Sequence, residues 1–397
     1  MLALTEEQQA VQTSIRRFAR RELRWKARQL DNAPAGTVDW ELLRKSCDVG
    51  LVSGQLPQEY GGTMERLSAV VALEELAHWE AGIATLLAYN SQAQMAVTLS
   101  SNKPLMERLC ADILAGEAQR KPLFGALALT ERHAGSDLLQ PPLVNPAPMM
   151  VTAKRRGDTY VLSGRKAYCA GGNIATWLSV FATVDSSRSP QGLTGFFVPT
   201  DSRGFHVSAV LPTMGLRGCP LVEFYLEGVT VPREQWLTAE GEAPALVQQL
   251  SACSRCQGAA IAVGIARGAF ELAQQHSLRR VQGGGRIIQH QMVQHMLADM
   301  VIQIEAARLL TRQAAAVEPP QVALSSMAKV LASDAAVKVA TDAVQIMGAY
   351  GTTLKSGAEK YFRDAKMTQI FVGTNELCRL AVTAPMLREA GLIPCQA

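Results

Sequence analysis

The chain has 397 residues, of which 48% are hydrophobic, and its formal net charge at pH 7 is +4. This length and apolar content are enough to bury a sizeable core divided over two or three domains, so a disordered or fibrous protein is excluded. The small excess of positive charge is mixed with acidic residues along the chain, which argues against a nucleic-acid-binding surface.

The first part of the chain predicts helices. Thr5 and the two glutamates after it are typical of a helix start, and Val11, Ile15 and Phe18 follow at helical spacing. These first residues resemble an amphipathic helix rather than a signal peptide, and no apolar run is long enough for a bilayer. We therefore expect a cytoplasmic protein without a membrane partner, beginning with a helical domain over residues 1–120.

The middle of the chain predicts strands. Short runs such as YVLSG, WLSVFATV and VEFYLEGVTVP are rich in β-branched and aromatic residues and are bounded by turn formers. We assign residues 121–237 to a compact β domain. Helical periodicity then returns in long segments with short breaks, which predicts a helical bundle over residues 238–397. The sequence thus predicts an α+β multidomain protein in the order α, β, α.

Four motifs occur in this frame: ALTERHAGSD, MGLRGCPLVEFYLEGVTVP, AVQIMGAYG and YFRDAKMTQIFVGTNE. In this order and spacing the chain resembles the acyl-CoA dehydrogenase family over nearly its whole length. The resemblance implies an N-terminal helical domain, a middle β-barrel-like domain and a C-terminal four-helix bundle. It further implies FAD held between the last two domains, with part of each FAD bound by a neighbouring subunit of a homodimer or homotetramer.

The resemblance also implies which residues contact FAD. Thr130 matches a position that serves the flavin ring, and Ser136 matches one at the pyrophosphate. Thr374 and Glu376 match positions near the adenosine. The positions that reach the FAD of the neighbouring subunit are matched by Arg280, Gln291, Gln345 and Gly348.

The expected catalytic base is missing. Most family members place a glutamate where this chain has Val372, and a minority place it where this chain has Ser254, just before Arg255. That glutamate removes the α-proton of an acyl thioester. A positioned base is worth on the order of 10²–10⁴ in rate. Valine accepts no proton and a lone serine is not basic, so the identity of the base stays unknown and fatty acyl-CoA oxidation of the usual kind is in doubt.

The flavin pocket departs from the family as well. Tyr168 stands where a tryptophan usually faces the flavin, and Ala170 stands where a threonine hydroxyl often lies near N5. Gly283 replaces a phenylalanine that would stack on adenine. A proline-rich linker over residues 138–150 is longer than the family's. These changes predict an altered flavin mouth rather than lost binding.

Several other residues have a structural interpretation. Cys253 and Cys256 have the spacing of a redox or zinc pair, but no second pair accompanies them, so we predict reduced packing cysteines and no metal. His133 and Glu131 in the first motif are more typical of local structure, with Glu131 as a hydrogen-bond acceptor. Tyr350 is more typical of a packed aromatic than of a proton donor.

The sequence therefore predicts an FAD-dependent oxidoreductase of the acyl-CoA dehydrogenase type. Its substrate is an acyl thioester on CoA or on an acyl carrier protein, and a substrate with an α-hydroxyl, α-amino or second carbonyl group would need less help from a base. The electron acceptor is left open between an electron-transfer flavoprotein and O₂. Two alternatives remain: a flavin-dependent oxidase or monooxygenase, and a non-catalytic paralogue that keeps FAD as a structural ligand.

Overall fold

The structure is a computed structural model that describes residues 4–136, 148–184 and 192–392, so most of the proline-rich linker and Cys395 lie outside the described residues. The N-terminal part is helical, as expected. Thr5 caps the first helix with a hydrogen bond from the Gln8 backbone N–H. Its helices are α1 (Glu6–Glu22), α2 (Lys26–Asn32), α3 (Trp40–Cys47), α4 (Arg66–Ala77), α5 (Ala81–Thr98) and α6 (Lys103–Ala118).

The middle part is a mixed sheet of seven strands in the order β1-β4-β2-β3-β7-β6, with β5 paired to β4. Its own apolar core includes Tyr160, Phe196 and Phe224. A register shift between Lys166 and Cys169 interrupts the β3–β7 pairing. The strands are β1 (Gly125–Ala128), β2 (Thr152–Arg156), β3 (Thr159–Ala170), β4 (Trp177–Thr183), β5 (Leu193–Pro199), β6 (Phe205–Leu211) and β7 (Leu221–Pro232).

The C-terminal part is again helical. Its longest helix, α7, has 37 residues and runs through the core, where small side chains let neighbouring helices approach closely. The elements are α7 (Ala243–Arg279), the hairpin strands β8 (Val281–Gln282) and β9 (Gly285–Arg286), α8 (Gln291–Ala316), α9 (Val322–Gly351), α10 (Ala358–Thr368) and α11 (Asn375–Glu389). The predicted fold class is confirmed, while the boundaries at residues 120 and 237 stay predictions. Within the described ranges, no helix has the length and apolarity needed to cross a bilayer.

Buried charges connect the three parts of the fold. Lys360 Nζ on α10 lies 2.6 Å from Asp364 Oδ2 and 3.2 Å from Glu80 Oε1 at the start of α5. The other oxygen of Asp364 accepts a 2.6 Å hydrogen bond from the Leu216 backbone N–H, just before β7. One buried carboxylate thus ties the β domain to the C-terminal helices, and the lysine ties both to the N-terminal helices.

A second ion cluster joins α4 to α7. His78 Nδ1 lies 3.0 Å from Arg267 Nε, and Arg267 also binds Glu75 at 2.7 Å. Burial, with the positive charge of Arg267, lowers the pKa of His78 from its usual 6.5 to about 3. The ring is therefore neutral in the folded chain at pH values where the unfolded chain protonates it.

This shift predicts a pH-dependent loss of stability. Above about pH 6.5 the ring is neutral in both states; as the pH falls towards 3, only the unfolded chain gains the proton, which favours unfolding. Between about pH 7 and pH 5, the free energy of unfolding of wild-type protein should fall by roughly 2 kcal/mol more than that of a His78→Gln variant. Urea unfolding at the two pH values measures this difference, and equal losses in both proteins would contradict the assignment.

Candidate functional site

The loop between α10 and α11 carries the first of the two positions where a base was expected. Thr374 caps α11, since its side chain accepts a 3.2 Å hydrogen bond from the Leu377 backbone N–H. Val372 has a φ of +49°, a left-handed conformation that is costly for a β-branched residue. Its Cγ2 packs closely on α7, at 2.7 Å from the position that a Cβ on Gly258 would take. The valine side chain therefore faces α7.

A buried lysine holds this loop in place. Lys329 Nζ on α9 donates to the Gly373 carbonyl oxygen at 2.7 Å and to Asn375 Oδ1 at 2.8 Å. Asn375 is fixed in turn by Asp334 Oδ1 at 2.7 Å. Burial lowers the pKa of Lys329 to about 8. Both bonds from the ammonium go to the loop, so Lys329 positions the loop rather than supplying a base.

The second position lies one helical turn before Gly258 on the same helix. Ser254 is buried, and its hydroxyl lies 3.4 Å from the Ser251 carbonyl oxygen of its own helix. Arg255, next to it, is only 2% exposed and donates to Ser326 Oγ at 2.7 Å. Its Nε has no partner and, among the described residues, no carboxylate pairs with it. Ser254 thus lies on α7 one turn before the contact of Val372 with Gly258, and next to an uncompensated cation.

The contact between Val372 and Gly258 can be tested by a pair of substitutions. Gly258→Ala adds a methyl group where the valine sits, so we expect a loss of about 1–3 kcal/mol in the free energy of unfolding. In a Val372→Ala background the same change should be neutral or stabilising by up to about 1 kcal/mol, because alanine favours helix. Chemical unfolding of the four proteins measures the coupling. Additive effects would place Val372 elsewhere.

A cleft of about 1040 Å³ leads to this site from the surface. Its inner end is formed by Ser251 and Arg255, and Arg388 of α11 lines it as well. The cleft is bounded by the segment after α5, by the connection from β7 to α7, by the start of α9 and by α11. It is large enough for an extended ligand, and Arg255 in its lining lies next to Gly373 of the Val372 loop.

The predicted flavin-facing residues gather on the β domain. The Thr130 carbonyl oxygen accepts a 3.1 Å hydrogen bond from the Ala167 N–H, which holds the end of β1 against β3. Tyr168 follows at the register shift, with a φ of +55° and a ring that is 54% exposed. Ala170 is buried, and Ser136 is half-buried after the turn. The structure therefore presents an aromatic ring and a short turn on one surface.

A buried ion pair supports this surface from inside. Lys166 Nζ lies 2.9 Å from Glu131 Oε1 and 2.8 Å from the Leu129 carbonyl oxygen. Glu131 also accepts hydrogen bonds from the backbone N–H groups of Met150 (2.7 Å) and Val151 (3.1 Å). Burial lowers the pKa of Lys166 despite its partner. Glu131 is thus a local acceptor, as its sequence context suggested.

Four of the predicted FAD residues lie at the far end of the bundle. Arg280 and Gln291 flank the β8–β9 hairpin and are exposed, as are Gln345 and Gly348 at the end of α9. Between Ser254 and Arg280 the helical rise amounts to roughly 39 Å. These four residues therefore lie far from the Val372 loop of the same chain.

The other candidate residues have local roles. Cys253 and Cys256 lie on α7, and no group of three His, Cys, Asp or Glu side chains that could hold a metal occurs in the described part of the chain. His133 is exposed. Tyr350 stacks on His276 with ring centroids 6.0 Å apart. Glu376 is exposed in the first turn of α11, where an acidic residue stabilises the helix start.

Sequence reasoning missed Tyr89 on α5. The Val372 backbone hydrogen-bonds to its phenol, and its ring centroid lies 6.3 Å from that of Phe371. Burial raises the pKa of Tyr89, so the phenol stays protonated. The signal that was available is the polar run YNSQAQ inside an otherwise apolar helix, where Asn90, Ser91 and Gln92 are all buried.

Comparisons with known proteins agree with this arrangement. The acyl-CoA dehydrogenase N-terminal, middle and C-terminal domain families match residues 5–117, 126–229 and 245–387. The chain belongs to the acyl-CoA dehydrogenase family, and it is a flavoenzyme-type oxidoreductase of that family.

Individual relatives cover nearly the whole chain. Cyclohex-1-ene-1-carbonyl-CoA dehydrogenase of Geobacter metallireducens is 38% identical over 98% of this chain and 100% of its own length. The enzyme of the same name from Syntrophus aciditrophicus is 36% identical over 98% of this chain and 91% of its own. Butyryl-CoA dehydrogenase of Megasphaera elsdenii superposes with a TM-score of 0.89 at 31% identity, covering 98% and 100% of the two chains.

Proposed function

We propose that this protein binds FAD and oxidises a short acyl thioester, carried by CoA or by an acyl carrier protein, without a carboxylate base at either customary position. The observation that carries the proposal is the cleft, whose inner end reaches Arg255 beside Ser254 and the loop of Val372. The two relatives named above act on a cyclohexenecarbonyl-CoA, which supports a thioester as the substrate.

The residues present fit a flavin dinucleotide. The half-exposed ring of Tyr168 provides a flat apolar surface, and the Thr130 turn next to it is held by backbone hydrogen bonds. At the far end, Gly348 has a φ of +60° and open space at its Cβ position, which permits close approach of a phosphate. Arg280 and Gln345 would then supply a cation and an amide donor. FAD, when bound, supplies the acceptor for a hydride from the substrate.

The two groups of FAD-binding residues require a second subunit in this account. Because Arg280 lies roughly 39 Å along α7 from Ser254, we expect the residues at the far end of the bundle not to reach the FAD of their own chain. We infer a homodimer or homotetramer in which Arg280, Gln291, Gln345 and Gly348 complete the site of a neighbour. A cytoplasmic location stays a prediction.

The absence of a base restricts the chemistry. Val372 and Ser254 accept no proton, and the Lys329 ammonium is occupied by the loop. Arg255, uncompensated and close to Gly373, favours negative charge that develops on the substrate. The chain therefore suits a thioester whose α-proton is acidic enough to pass to water, and Arg255 would stabilise the resulting anion.

An anaerobic titration tests the proposal. We expect the purified protein to be yellow and to lose its flavin absorbance when a thioester with an α- or β-oxygen substituent is added, as CoA and as pantetheine esters. A colourless protein, or a yellow one that no thioester bleaches, would contradict the proposed function. Bleaching only by a chemical reductant, followed by rapid oxygen consumption, would indicate the oxidase or monooxygenase alternative, whereas colour with no turnover would indicate the non-catalytic alternative.

A further inference from the structure

Tyr89 lies where three parts of the fold meet. Leu86 lies one turn earlier on the same face of α5. Its Cδ1 packs on Gly171 at the end of β3, at 2.8 Å from the position that a Cβ on this glycine would take. One turn later, Gln92 Nε2 donates to Gln257 Oε1 of α7 at 2.9 Å, next to Gly258. The phenol between them is therefore close to the flavin-facing strand, to α7 and to the loop of Val372.

The phenol has one free hydrogen-bonding function. Burial raises the pKa of the phenol, whereas the Val372 backbone lowers it, which means that the contact with this backbone stabilises the phenolate. We therefore infer that the backbone N–H of Val372 donates to the phenol oxygen. No described residue accepts the phenol's own hydrogen, and its neighbours Phe371 and Leu86 are apolar. The hydroxyl is thus a donor available to a ligand beside the backbone of the Val372 loop.

The wall beyond Tyr89 is polar as well. Gln257 Nε2 donates to Gln55 Oε1 at 2.7 Å and to Ser91 Oγ at 2.9 Å, while its oxygen accepts from Gln92. A hydrocarbon chain running between α5 and α7 would have to break this network and leave buried amides without partners. The space next to Tyr89 therefore suits a short acyl group.

The positive charge of Arg255 distinguishes between the polar substituents that an acyl group could carry. Arg255 lies beside the site and forms no ion pair with any described carboxylate, so an ammonium group on the acyl chain is disfavoured there. A neutral hydroxyl or oxo oxygen avoids this repulsion and accepts the free phenol hydrogen. An unsubstituted acyl group would leave the phenol without an acceptor once water is excluded.

We propose that the acyl substrate carries a hydroxyl or oxo oxygen on its α- or β-carbon, and that Tyr89 recognises this oxygen by donating a hydrogen bond to it. This inference rests on the proposed function and names the class of its substrate. Tyr89 thereby selects for oxygenated acyl groups over alkyl groups of equal size and over aminoacyl groups.

Binding of two unreactive thioethers tests the proposal by calorimetry with the flavin-containing protein. S-(2-hydroxypropyl)-CoA and S-(2-methylpropyl)-CoA differ by a hydroxyl in place of a methyl group, and neither is oxidised. Wild-type protein should bind the hydroxyl compound about five- to tenfold more tightly, and Tyr89→Phe should reduce this preference to about one. Tyr361→Phe is the matched control, because its phenol donates to the His78 carbonyl oxygen at 3.1 Å, away from the cleft; it should keep the wild-type preference.

Three results would overturn the proposal: no preference in wild-type protein, an unchanged preference in Tyr89→Phe, or no binding of either compound. If Tyr89→Phe does not fold, the absence of a preference in wild-type protein would still overturn the proposal. Failure of the proposed function looks different, since the hydroxyl preference would then persist while no thioester bleaches the flavin.

Discussion

Val372→Glu is expected to create desaturation activity towards simple acyl-CoA esters such as butyryl-CoA. The glutamate would occupy the position beside Ser254 and Gly258 where the family resemblance places the base, and Arg255 would favour its ionised form. A positioned carboxylate contributes on the order of 10²–10⁴ in rate, so we expect an increase of at least about 10² over wild type. Glutamate also removes the β-branch from a residue with a φ of +49°.

The measurement is product formation from butyryl-CoA with an artificial electron acceptor, at equal flavin content. Val372→Gln is the matched control, since it has the same shape without basicity and should stay near the wild-type rate. A Val372→Glu protein that retains flavin and is as inactive as wild type would show that this side chain does not face the α-carbon.

Lys166→Met is expected to destabilise the protein by about 3–5 kcal/mol, because it leaves the Glu131 carboxylate buried without its cation. Both side chains are nearly inaccessible, at 0% and 2% exposure. Methionine has a similar length, so packing changes little. Urea unfolding at equal protein concentration measures the loss.

The double variant Lys166→Met with Glu131→Gln separates charge from packing. Glutamine still accepts the N–H groups of Met150 and Val151 but carries no charge. It should therefore recover much of the stability. If the double variant were as unstable as Lys166→Met alone, the loss would come from packing around the lysine, and the ion pair would not be its cause.

The sequence predicted the parts of the fold that follow from local periodicity. Alternating and β-branched runs indicated the strands around Tyr160 and Phe224, and apolar residues at helical spacing indicated α1 and α7. The resemblance to the family motifs then predicted that Val372 and Ser254 occupy the two base positions. The contact of Val372 with Gly258 was not predictable, because it depends on how a loop 114 residues further along the chain packs on α7.

Tyr89 and the glutamine network were not predictable for a different reason. Nearly every residue of α5 is buried, so the helix has no polar face that would indicate which side faces the cleft. The polar run after Tyr89 is unusual, but only the structure shows that Gln92 faces Gln257. Likewise, only the structure shows that α7 is one unbroken helix, which puts Ser254 and Arg280 far apart.

We propose that no protein base removes the α-proton of an unactivated thioester in this site. Exchange of the α-hydrogens of bound butyryl-CoA with deuterated water, followed by mass spectrometry, tests it most directly. The account predicts no exchange above the solvent rate in wild-type protein and measurable exchange in Val372→Glu. Rapid exchange in the wild-type protein would contradict it, because a base would then be acting from a residue other than Val372 or Ser254.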